Sequence, residues 1–141
     1  MGILKNLMGG EEHPPLPDDS YAVERLRKVE EALRQLISET RDRIEIVPAE
    51  ESAYAFIGKP PKKFGMAWIT NGEVENLGEL AKTKNFSPIT LEKIEDELAE
   101  AYRRSESDQR YECVIGGEKV IVTPSQHLES EVHRIIQALL D

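Results

Sequence analysis

The chain has 141 residues, 39% of them apolar and 32% charged, with a net charge of -9 at pH 7. That length suits one domain enclosing a single core, and the Leu, Ile and Val content excludes global disorder. The acidic excess disfavours nucleic acid as a partner, because such binding draws its affinity from clustered Lys and Arg that displace counterions.

Residues 1–19 are read as an extended or disordered N-terminal arm, since Gly9-Gly10 and His13-Pro14-Pro15-Leu16-Pro17 sustain neither a helix nor a central strand. Its apolar tip, Ile3, Leu4, Leu7 and Met8, suits docking on a partner, a membrane surface or the same molecule. The tip is too short for the core of a signal peptide, and Asn6 stands where a myristoylation signal has Ser or Thr. No segment approaches the ~20 apolar residues of a spanning helix, so no membrane partner is expected.

From Ser20 the pattern predicts one long helix fading near Arg41 to Arg43, with Ala22, Leu26, Val29, Leu33 and Leu36 as its apolar stripe. Three strands follow, over 44–47, 53–58 and 64–70. Asn71-Gly72 is a type I′ hairpin signal that sends residues 73–77 back alongside 66–70. In that register Met66, Trp68 and Leu77 share one face and Ala67, Ile69 and Val74 the other, so both faces need covering, by helices, a partner subunit or the arm. A short helix is expected near Gly78 to Lys84, then a longer one announced by Ser87-Pro88, with Leu91, Ile94, Leu98, Ala101 and Tyr102 inward. A second hairpin pairs 110–115 with 118–123 across Gly116-Gly117, placing Tyr111, Cys113, Ile115, Val120 and Val122 on a common core face. A last helix carries Leu128, Val132, Ile135, Ile136 and Leu139. The expected fold is therefore a single α+β domain over 20–141, with three main helices and a mostly antiparallel sheet built from two hairpins.

The chemistry-bearing residues are sparse. Lys59, Lys62 and Lys63 flank Pro60-Pro61 in a stiff basic loop suited to a small anion such as a phosphate or carboxylate. It is not a nucleotide cradle, which needs a glycine-rich turn ending in Gly-Lys-Ser/Thr and opening a helix. His127 and His133 lie six residues apart on different sides of the last helix and cannot chelate one metal together; Glu131 and Glu129 are the surface partners expected for them. Glu92, Glu95, Asp96 and Glu100 read as a solvated helix side. Cys113 reads as a core cysteine rather than a nucleophile. It is the only cysteine, with no CxxC or Cys/His cluster to hold zinc, which suits a reducing, cytoplasmic setting and implies no metal and no cofactor. Ser125 and Thr123 are element boundaries without a GxSxG elbow. Tyr54, Phe56 and Trp68 beside the lysines are read as core.

These patterns point to a non-catalytic interaction or regulatory module that self-associates or binds another protein. Trp68, Leu26 and Leu33 are the candidate interface residues, from the two-sided hairpin and the heptad-like first helix. A binder of an anionic metabolite at Lys59, Lys62 and Lys63 is the second expectation. An enzyme without a readable motif is the third.

Overall fold

In the computed structural model, which describes residues 12–141, Ser20 opens the first helix by accepting a hydrogen bond from the Ala22 amide. Helix α1 (Tyr21–Lys28) is separated from α2 (Glu30–Ser38) by Val29, whose φ of -120° and ψ of 18° leave the helical region. The single long helix expected from the pattern is thus two. The stripe nevertheless survives the break, because Ala22, Leu26, Val29, Leu33 and Leu36 are all buried. A β-branched residue favours helix less than its straight-chain neighbours, and the bend at Val29 keeps both halves of the stripe in the core.

Six strands form one sheet in the order β4-β3-β2-β1-β6-β5: β1 (Ile44–Pro48), β2 (Ala53–Lys59), β3 (Lys63–Thr70), β4 (Glu73–Asn76), β5 (Tyr111–Ile115) and β6 (Glu118–Val122). Both hairpin turns use the residues that tolerate positive φ: Asn71 and Gly72 at 51° and 78°, Gly116 and Gly117 at 60° and 82°. Four strand pairs are antiparallel, as expected. The fifth is parallel, with Glu45 opposite Ile121 and Ile46 opposite Val122, and it joins the two hairpin groups at the middle of the sheet. Every residue of β1 is buried.

Helices α3 (Leu77–Thr83), α4 (Pro88–Arg104) and α5 (Gln126–Leu140) complete the chain, capped by the side chains of Asn76, Ser87 and Ser125. Among the described residues the helices number five, against three main ones expected, because the first is divided and the short α3 forms a helix of its own. One core packs α1 and α2 against Ile44, Ile46, Ala67, Ile69, Val120 and Val122. The other packs α4 and α5 against Val47, Phe56, Met66 and Trp68. Both faces of the sheet are therefore covered by the chain's own helices. Trp68, Leu26 and Leu33 all lie inside these cores, buried within a single copy.

Cys113 is half-buried against the first core. The described part of the arm is not detached: Pro15 bridges Glu112 in parallel fashion on the outer edge of β5, and Leu16 packs against the first core. Ile3, Leu4, Leu7 and Met8 lie outside the described residues. Among the described residues, no helix is long and apolar enough to cross a membrane.

Candidate functional site

The outer edge of β5 is where the fold seats a segment of the arm. Glu112 turns its backbone outward, donating its N–H to Pro14 O at 2.8 Å and accepting from Leu16 N at 2.8 Å. Its carboxylate takes a further hydrogen bond from His13 N at 3.1 Å. That bond, with help from Lys119 at 3.4 Å, holds the Glu112 carboxyl below its ordinary range. Three of the arm's residues, Pro14, Pro15 and Pro17, carry no N–H, so a longer ladder is closed to it. Val114, two residues along, presents its backbone on the same side. No backbone hydrogen bond from a described arm residue reaches it, and its side chain is 68% exposed.

A second place is a groove of about 500 Å³ between α5 and the end of the sheet, lined in part by Glu50, Ser52, Tyr54, Trp68, Glu129 and His133. Tyr54 OH lies 2.6 Å from His133 Nδ1. Burial first, and the Glu129 charge second, push the Tyr54 hydroxyl up to about 12, so it stays protonated and available as the donor in this pair. The Trp68 indole nitrogen Nε1 is buried and has no hydrogen-bond partner among the described residues. An orphaned donor of this kind is uncommon in a folded interior.

The lysine loop is a tight turn, with Lys62 N donating to Lys59 O at 3.1 Å across a cis Pro60-Pro61 bond. Lys59 and Lys63 face each other across the hairpin. All three lysines are exposed. None makes an ion pair among the described residues. A groove of about 780 Å³ gathers Arg41, Arg43 and Lys119, but also Asp42, Glu112 and Glu118, and the three lysines do not line it.

The most connected polar group is one that the sequence reading passed over. Glu45 is wholly buried, yet it accepts from Arg43 at 2.8 Å, Tyr102 OH at 2.7 Å, Arg110 Nε at 2.9 Å and Thr123 Oγ1 at 2.6 Å. Arg110 also donates to Ser105 and lies over the Tyr102 ring. Burial is the largest influence on Glu45 and opposes its ionisation. The Arg110 charge, the Thr123 and Tyr102 hydrogen bonds and the Arg43 charge together outweigh it, holding the carboxyl below its usual range. A carboxylate this fully satisfied and out of water ties β1, α4 and the β5–β6 hairpin together. A single charge inside the apolar run Ile44-Glu45-Ile46-Val47 was the signal that could have revealed it.

His127 pairs with Glu131 at 2.9 Å, as its spacing suggests. Glu129 instead binds Arg25 of α1 at 2.9 Å, leaving His133 to Tyr54. Among the described residues no group of three or more His, Cys, Asp or Glu is arranged to hold a metal. Compared with known proteins, the chain matches no family model, and neither the curated proteins nor the solved structures include a significant match.

Proposed function

We propose that the protein is a non-catalytic, self-associating interaction module of a reducing, cytoplasmic setting, and that the outer edge of β5 is its docking surface for an extended segment. The observation that carries this reading is the seating of Pro14 to Leu16 on Glu112. Main-chain hydrogen bonds hold such a segment while a side-chain pocket selects its sequence, the general mode of β-augmentation. Here the selecting contact is Leu16, which packs against the first core. The interface expected at Trp68, Leu26 and Leu33 moves to this edge, because those side chains are consumed by the cores of one copy. The test uses a labelled peptide spanning Glu12 to Ser20 and the full chain carrying Leu16→Asp, which weakens its own arm's anchor. Saturable binding to the variant, and much weaker binding to the parent chain, is expected; no saturable binding to either would overturn the reading.

A small-ligand binder is the second reading, and the unpartnered Trp68 Nε1 favours the α5 groove over the lysine turn as its place. Trp68 is the only tryptophan, so its emission reports that groove directly. A ligand accepting from the indole shifts the emission, and Tyr54→Phe or His133→Ala changes the affinity. An anion at Lys59, Lys62 and Lys63 would instead bind more weakly after neutralising Lys62 and Lys63, with Trp68 emission unchanged.

A further inference from the structure

We infer that the segment taken up by the β5 edge is the arm of a second copy, so that two chains exchange residues 13–17 and each completes the other's sheet. The inference rests on the reading of β5 as a docking edge and adds the identity of the occupant.

The same contacts serve in either connection. Leu16 N to Glu112 O, Glu112 N to Pro14 O and His13 N to the Glu112 carboxylate can be formed with the chain's own edge or with a neighbour's. Exchange therefore sacrifices none of them, which is why swapping an identical element is a low-cost route to a dimer. What decides between the two states is the hinge. Between Leu16 and the start of α1 lie only Pro17, Asp18, Asp19 and Ser20, closed into a turn by one backbone hydrogen bond, Ser20 N to Pro17 O at 3.0 Å. Prolines at 14, 15 and 17 limit the arm to extended backbone, and a short hinge beside a stiff arm favours opening outward.

Two of the exposed large apolar side chains fall where a second copy would cover them. Of the three large ones among the described residues, Tyr21 stands at the hinge and Val114 on the open stretch of β5, with Ile89 apart at the start of α4. Tyr21 also lines a groove with Pro17, Asp19, Tyr111 and Pro124 that runs between the hinge and the start of β5. In the exchanged pair the two hinges cross near these grooves, and it is the hinge, following Leu16 in the direction of β5, that runs toward the partner's Val114.

Cys113 makes the test direct. Leu16 lies one register step beyond the Pro15–Glu112 bridge, beside Cys113, and both side chains pack on the first core. A cysteine at position 16 is therefore placed to form a disulfide with Cys113. Under mild oxidation the chain carrying Leu16→Cys should give a covalent dimer. A mixture of the Leu16→Cys/Cys113→Ser chain with the parent chain should also give one, while either component alone should not. A covalent monomer, with no cross-linked mixture, would show the arm docked on its own chain: the exchange would fall and the docking edge would stand. No disulfide in either experiment would overturn both. As a second measurement that leaves the core intact, a Gly-Gly-Ser insertion between Asp18 and Asp19 should convert the dimer seen by native mass spectrometry to monomer, since a longer hinge lets the arm return to its own edge. An oligomeric state unchanged by the insertion would overturn the exchange.

Discussion

Glu45 is the residue on which most of the polar interior converges. Arg110 is nearly buried as well, and removing one member of such a pair leaves the other charged and out of water, at a cost of about 3 to 5 kcal/mol. Glu45→Gln should therefore destabilise the fold by that order, measured by urea unfolding at neutral pH, whereas Glu100→Gln on the exposed side of α4 should change it little. Equal effects would remove Glu45 from this role. Its carboxyl is held below the ordinary value in the fold, so the stability it contributes is present above the unfolded-state value and lost as pH falls through the folded one. The Glu45→Gln chain should show a flatter decline of stability in acid than the parent. Tyr54 behaves in the opposite sense. Its hydroxyl, raised from 10.0 to about 12, favours the protonated fold below pH 10, and that contribution disappears as pH rises through about 12. Tyrosinate absorbance should show one late step near 12 that Tyr54→Phe abolishes; persistence of that step in the variant would assign it to another tyrosine.

At the level of elements, Gly58 closes β2 against β3. Its φ of 112° lies where side-chain-bearing residues are strained, and a Cβ there would stand 3.0 Å from Lys63 O, a backbone atom. Gly58→Ala should lower stability by about 1 to 3 kcal/mol. Gly65→Ala, seven residues further on in β3 with open space around it, is the control and should change stability by less than about 1 kcal/mol. If the two variants unfold at the same urea midpoint, the turn is not under that constraint. This hairpin and the other two show what was legible in the sequence. Asn71-Gly72 and Gly116-Gly117 specify their turns locally, and period-two patterning then fixes which side chains share a face, so the Met66/Trp68 and Ala67/Ile69 faces could be assigned in advance. The capped helices α4 and α5 were legible for the same reason, since Ser87-Pro88 and the stripe of 128, 132, 135 and 136 are local signals. The break at Val29 was hidden because the stripe continues across it. The parallel pairing of β1 with β6 and the Tyr54–His133 contact join residues more than 70 positions apart, and no local pattern encodes such a meeting. For the same reason the surroundings of Trp68 were only half legible: it read as an apolar residue of a two-sided hairpin, but which helix would cover it did not.

For the whole molecule, the consequence of that parallel pair is cooperativity. Without it the sheet would separate into two local units, the β1–β4 group and the β5–β6 hairpin. Instead Glu45 and Ile46 lie against Ile121 and Val122, Thr123 N donates to Ile46 O at 2.8 Å, and Thr123 Oγ1 and Arg110 both close on the Glu45 carboxylate. The first core draws side chains from both groups, Ile44, Ile46, Ala67 and Ile69 from one and Ile115, Val120 and Val122 from the other, so neither group keeps that core complete when the other leaves. A chain of this length built this way should unfold in one transition. Trp68, buried in the α4–α5 core, and far-UV circular dichroism, which reports all helices and strands, should give coincident urea transitions in the parent chain. The arm is the exception. Its described residues meet the body at Glu112, through hydrogen bonds from Leu16 N, to Pro14 O and from His13 N, and through Leu16 on the first core, so amide exchange at Glu112 should proceed through local release, well below the free energy of global unfolding. Leu16→Asp should speed that exchange while leaving the two transitions superimposed. Separation of the Trp68 and dichroism curves would instead mean that the parallel β1–β6 pair does not bind the two halves into one unit.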